Sequence, residues 1–144
     1  MIWYNETLPS LDALNASGND TLVSLLDIKV VDVTEDSISA SMPVDERTRQ
    51  PYGILHGGAS VVLAETIGSI ASAFVVDMRR YRVVGLDINA NHIRAVSGGR
   101  VKATATPAHL GRRTHVWKIE QVDERGKLSC ISRLTMAIID AEAA

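Results

Sequence analysis

The run Gln50-Pro51-Tyr52-Gly53-Ile54-Leu55-His56-Gly57-Gly58 leads straight into a long apolar stretch and concentrates groups suited to handling a carbonyl. A helix N-terminus leaves backbone N–H groups unpaired and carries partial positive charge. Gly57 and Gly58 have no side chain to keep a ligand away from those donors. Preorganised N–H groups of this kind stabilise a carbonyl oxygen as it becomes an oxyanion. Taken alone, the run reads equally well as a plain Gly-rich loop entering a helix.

Glu65 changes the balance, being the only charged residue between Gly57 and Val76. Carboxylates are almost never fully buried unless they are paired or used. Its neighbours on the expected face, Ser69 and Ser72, can donate hydrogen bonds but bring no counter-charge. A structural arginine from a strand could satisfy it; the functional alternative is a general base or a nucleophile. Geometry then constrains the site. Eight helical residues separate Gly57 from Glu65, roughly 12 Å, whereas catalysis needs both groups within about 3 Å of one reacting carbonyl. Two antiparallel helices of a two-fold dimer meet that requirement, with Gly57 of one chain facing the partner's Glu65.

Other chemistries lack their residues. There is no G-x-S-x-G elbow, no H-E-x-x-H and no Walker lysine, which excludes serine-hydrolase, zincin and P-loop readings. His92, His109 and His115 have no metal-ligand company, so neither a metal nor a cofactor is expected. Arg94, Arg112 and Arg113 flank strand ends, where arginines either bind phosphate or simply face solvent. Cys130, the single cysteine, excludes an intramolecular disulfide and reads as a small packed hydrophobe.

The elements that must position these groups follow from periodicity. Pro9-Ser10 before Leu11 to Asn15 predicts a short capped helix. Ile28 to Thr34 and residues 37–42 predict two strands, with Ile38, Ala40 and Met42 on one face. In the central helix, Leu63, Ile67, Ile70 and Phe74 fall on one face and are expected to meet the sheet. Glu65, Gly68, Ser69 and Ser72 are expected on the other, open to a second subunit. Beside Glu65, the small residues Val61, Val62, Gly68 and Ser69 are expected to leave room for a flat ring on which Tyr52 could stack. Four strands follow. Leu86, Ile88 and Ala90 alternate with polar residues, as do Val101, Ala103 and Ala105; Pro107 to Gly111 reads as a break; Trp117 and Ile119 lie on the next strand; Asp123 to Gly126 is a hairpin turn; Leu128 to Ile138 closes the chain.

Two strands, a long helix and four strands make an α+β domain, and no linker-like shift divides residues 1–144. The 15 Lys and Arg against 17 Asp and Glu give a net charge of −2, with no basic block for nucleic acid. Glu65 and the scattered hydroxyls argue against a membrane span, and the opening residues lack a signal-peptide pattern, so a cytoplasmic protein is expected.

Residues 50–69, QPYGILHGGASVVLAETIGS, followed by VVGLDINANHIR and HLGRR, resemble the hotdog-fold acyl-CoA thioesterases, and the likeness runs over essentially the whole chain. It is nearest to the bacterial branch acting on 1,4-dihydroxy-2-naphthoyl-CoA in menaquinone biosynthesis or proofreading in enterobactin biosynthesis. The resemblance implies a long helix wrapped by an antiparallel sheet, with dimers usually paired into tetramers. It implies that Glu65 is the catalytic carboxylate and that Gly57 supplies the N–H that polarises the thioester. His56 and Gln50 would orient substrate and water, and Ser69 would support the site. Gly85, His92, Ile93, Arg94, Ala95, His109, Leu110, Gly111, Arg112, Arg113 and Thr114 match positions that contact coenzyme A. A hotdog dehydratase or hydratase would need a histidine over the acyl β-carbon, whereas the well-placed histidine here sits beside the carbonyl site. A non-catalytic acyl-CoA binding module would have no use for a buried Glu65.

Overall fold

The computed structural model describes residues 1–143. Two short helices, α1 (Leu11–Asn15) and α2 (Leu22–Leu25), precede strands β1 (Lys29–Val33) and β2 (Ile38–Pro43). The long helix α3 (Gly57–Val75) then crosses to β3 (Tyr81–His92), β4 (Arg100–Leu110), β5 (Thr114–Val122) and β6 (Leu128–Asp140). All pairings are antiparallel, in the order β1-β2-β4-β5-β6-β3, so β1 and β3 are the edges. This is the hotdog arrangement, one sheet around one helix. Ser10 caps α1 by accepting from the Ala13 N–H, and Gly126 makes the β5–β6 turn at φ +76°.

The core is the concave face of the sheet closed by α3. Ile38, Ala40 and Met42 of β2, Val101, Ala103 and Ala105 of β4, Trp117 and Ile119 of β5 and Leu134 of β6 are fully buried. They meet Leu63, Ala64, Ile67 and Ala71 of the helix. Leu63 and Ile67 thus lie where the periodicity put them, but Ile70 and Phe74 are only half-buried at the flank.

The opposite face differs from expectation. Gly68 and Ser72 turn toward the sheet rather than standing beside Glu65. A Cβ at position 68 would lie 2.5 Å from Leu134 Cδ2, so glycine lets the helix sit down on β6. Ser72 Oγ accepts from Trp117 Nε1 (2.7 Å) and pairs with His115 Nδ1 (3.0 Å), with all three residues buried. The helix is therefore rotated so that its small residues, not only its large ones, make the sheet contact. Its outer face is covered in part by this chain's own N-terminal segment.

Two strands depart from simple alternation. Gly85 pairs with Met136 and Asp87 with Thr135, so Leu86 is an extra, bulged residue and is 62% exposed instead of sharing the inner face of Ile88. Residues 107–110 do not break β4: Pro107 pairs with Trp117 and His109 with Val116, with Ala108 bulged between. Proline is tolerated because β2 pairs with β4 only as far as Ala105, leaving its nitrogen side without a partner strand. Cys130 is buried as expected, and burial pushes its thiol pKa up.

Burial, with a smaller contribution from His109, lowers the His115 pKa below its ordinary value. The unfolded chain then binds a proton at about pH 6.5 that the native state resists, so this residue's contribution to stability is lost as pH falls. Thermal melts from about pH 7.5 down to about pH 5 should show a smaller fall in Tm for His115→Gln than for wild type. Parallel curves would remove this residue from the acid response.

Candidate active site

The loop before α3 is pinned to its surroundings. Leu55 N–H donates to Val96 O (2.7 Å), His56 N–H to Thr48 O (2.8 Å), and Gln50 N–H to Ile54 O (2.8 Å). Gly53, at φ +79°, turns the chain back, and the Gln50 side-chain oxygen accepts the Tyr52 N–H. His56 is the N-cap of α3. Its Nδ1 accepts from Gly58 N–H (2.8 Å), which places the proton of the neutral ring on Nε2. Its carbonyl accepts the N–H groups of Ala59 (3.0 Å) and Ser60 (3.2 Å). Three of the four leading N–H groups are thereby engaged. Of these four, only the Gly57 N–H has no acceptor among the described residues, and it stands at the positive end of the helix.

That donor belongs to a cavity of about 280 Å³ lined by residues that include Gln50, Gly57, His92, Ile93, Arg94 and Ala95. His92 packs on Gly57 so closely that a Cβ there would lie 2.9 Å from His92 Nε2. The loop, the helix start and the end of β3 therefore form one cluster.

Glu65 and Ser69 lie elsewhere, on the wall of a second cavity of about 300 Å³. Leu14, Val23, Ile28, Val30, Thr66 and Ile70 give it a largely apolar lining. Val61, Val62 and Gly68, expected beside Glu65, do not line it. Glu65 is half-buried and makes no hydrogen bond or ion pair among the described residues, so the structural-arginine alternative is not realised. Its Oε1 rests over β3, 2.6 Å from where a Cβ of Gly85 would be. Ser69 makes only a long contact with Met136 Sδ (3.8 Å).

The third group is farther away. His109 to Thr114 form the β4–β5 hairpin, closed by Gly111 N–H to Thr114 O (2.9 Å). Leu110, Gly111 and Arg112 border a cavity with Val75 and Tyr81, at the C-terminal end of the helix. Arg113 pairs with Asp140 at the surface (3.4 Å). One chain thus spreads the matched residues over both ends and the middle of a 19-residue helix about 27 Å long.

Two features escaped the sequence reading. Gly85 is matched to coenzyme A contact, yet inside the chain it also makes room for the Glu65 carboxylate. The segment from Leu14 to Val30 forms the far wall of the Glu65 cavity, and no local motif marks it. A mid-helix carboxylate facing a cavity with no counter-charge among the described residues suits attack on a carbonyl, and the free N–H suits its polarisation.

Residues 52–130 match the thioesterase superfamily model. Among curated proteins, the 1,4-dihydroxy-2-naphthoyl-CoA hydrolase of Escherichia coli is 52% identical over 139 residues, 96% of this chain and 100% of that one. The proofreading thioesterase EntH of Cronobacter turicensis is 46% identical over 139 residues, 96% of this chain and 99% of that one. A crystal structure of a mutant thioesterase from Pseudomonas aeruginosa superposes with a TM-score of 0.94 at 51% identity, covering 97% of this chain and 99% of that one.

Gly85→Ala should keep the fold, because the added methyl meets the free end of a flexible side chain, but should displace the carboxylate. We expect kcat for thioester hydrolysis to fall by about tenfold or more, with Tm shifted by only a few degrees. Unchanged kcat would mean that the position of Glu65 over Gly85 is immaterial.

Proposed function

The chain belongs to the thioesterase superfamily and is a thioester hydrolase, and from that premise we propose that it hydrolyses aromatic acyl-CoA thioesters at sites shared between two subunits. The observation that carries this reading is the separation within one chain of a free oxyanion donor, Gly57 N–H, from an uncompensated carboxylate, Glu65. A two-fold axis that runs the helices antiparallel would bring Gly57 to the partner's Glu65. The β3 edge supports such pairing: Val84, Leu86 and Ile93 are exposed apolar residues on or just after a long strand whose outer edge has no partner strand. Our preferred state pairs two such dimers into a tetramer.

In the reaction, the thioester carbonyl oxygen accepts from Gly57 N–H, and the His56 Nε2–H and Gln50 orient the substrate and the attacking water. Glu65 takes the proton from that water as it bonds to the carbonyl carbon. Alternatively it attacks the carbon itself, and water then opens the resulting anhydride. In either case the C–S bond breaks, the acid is released and the coenzyme A thiolate leaves to take up a proton. His92 to Ala95 and the His109–Thr114 hairpin are the proposed contacts for the coenzyme A portion.

Aromatic preference rests on the apolar cavity beside Glu65, on the 90% exposed Tyr52 and on the name of the Escherichia coli relative. 1,4-Dihydroxy-2-naphthoyl-CoA is our choice of substrate, implying a role in menaquinone biosynthesis. The second reading, proofreading of misacylated carrier protein, is favoured by the name of the Cronobacter relative.

Glu65→Gln should lower kcat by about 10²-fold or more with little change in KM. Random mixing of Glu65→Gln chains with inactive His56→Ala chains should restore about a quarter of wild-type activity, since each heterodimer regains one of its two sites. No recovery in properly exchanged protein would place both groups in one chain.

A panel of benzoyl-, naphthoyl- and hexanoyl-CoA, with an acylated carrier protein alongside, tests the substrate. Aryl-CoA thioesters should show the highest kcat/KM. A higher value for hexanoyl-CoA would overturn the aryl preference, and a higher value for the carrier protein would favour proofreading.

A further inference from the structure

Leu14 packs the wall facing Glu65 into the core, and the side chain of Asn15 ties that wall to the sheet edge by hydrogen bonds. Asn15, the last residue of α1, donates from Nδ2 to Leu11 O (3.0 Å) and to Val30 O (3.0 Å), and its Oδ1 accepts the Val30 N–H (2.9 Å). Val30 belongs to β1, an edge strand, so its outward N–H and C=O have no strand to pair with. A primary amide carries a donor and an acceptor in one plane and satisfies both, much as a neighbouring strand would. The next residue, Val31, is bulged, which confines this docking point to Val30.

The attachment matters because α1 has only five residues, too few to hold its position by helix formation alone. Leu14, Asn15 and Val30 all line the cavity that holds Glu65 and Ser69. The depth of that cavity is set by how closely α1 lies against β1, and the amide contacts fix that spacing. We propose that Asn15 is a positioning residue for acyl selectivity: it clasps α1 to the sheet edge and so holds the far wall of the acyl cavity at the distance an aryl group fills. This rests on the reading of the Glu65 cavity as the acyl site, and it assigns Asn15 no contact with the reacting atoms.

The three substitutions differ in what they retain. Asn15→Ala removes every contact. Asn15→Asp keeps an acceptor for Val30 N–H but sets an oxygen against the carbonyls of Leu11 and Val30. Asn15→Gln keeps donor and acceptor on a longer arm.

Steady-state kinetics with benzoyl-CoA and acetyl-CoA test the proposal, because a short acyl group does not reach the far wall. For Asn15→Ala we expect KM for benzoyl-CoA to rise about tenfold with kcat within about twofold, and kcat/KM for acetyl-CoA within about twofold. Asn15→Gln should recover most of the benzoyl-CoA affinity and Asn15→Asp should not. Should the alanine variant fail to fold, the aspartate and glutamine variants carry the same comparison. An equal loss on both acyl groups, a loss confined to kcat, or an unchanged benzoyl-CoA KM would overturn the role. Glu65→Gln in the same panel separates the two ideas: full turnover there sinks the reading of the site itself, whereas loss of turnover there with unaltered selectivity in the Asn15 variants sinks only the clasp.

Discussion

The close seating of α3 on its sheet is the contact on which the rest of the molecule depends. Ser60, Ala64, Gly68, Ala71 and Ser72 present little volume toward the strands, and Ala40, Ala103 and Ala105 answer with little volume from below. Helix and sheet approach until Leu134 fills the space that a side chain at position 68 would take. Interiors packed to this density leave no freedom to roll the helix. The rotation is held further by Ser72, whose hydroxyl binds both Trp117 and His115. Truncating Leu63 or Ile67 in such a core costs on the order of 2–5 kcal/mol.

That rotation decides where the charged and polar groups point. With the small residues turned inward, Glu65 and Ser69 are carried to the flank, over the Gly85 end of β3 and into a cavity of apolar walls. No cation accompanies the carboxylate among the described residues. At the helix start the hydrogen bonds of His56 occupy the neighbouring donors and leave the Gly57 N–H unspent. The loop that makes this cap is itself tied by backbone bonds to Thr48 and Val96, so the donor is held in place before any ligand arrives. Preorganisation of this kind is what makes a backbone N–H effective toward a developing oxyanion.

The arrangement also separates its parts. A helix is stiff, and two groups eight residues apart on it stay roughly 12 Å apart. In the proposed shared site, assembly brings them to one carbonyl, with the exposed apolar residues of the β3 edge as the proposed contact. The N-terminal segment plays a different part. It closes the outer side of α3 within the same chain, so the cavity beside Glu65 exists before any subunit arrives.

Much of this was legible in the sequence. The alternation in residues 37–42 and 101–106, the capped Ser10 helix, the glycine of the last hairpin and the order of elements are local properties, and local geometry writes itself as spacing. The lone Glu65 in an apolar helix and the glycines at its start marked the candidate site for the same reason. Tertiary structure alone decided which side of α3 meets the sheet, because Gly68 and Ser72 read as polar or small whether they face water or a close-packed strand. It alone placed the bulges at Leu86 and Ala108, which depend on register with distant partner strands. It alone joined Asn15 to Val30 and Glu65 to the space over Gly85. Those contacts link residues far apart in the chain, and no spacing rule within a single element records them.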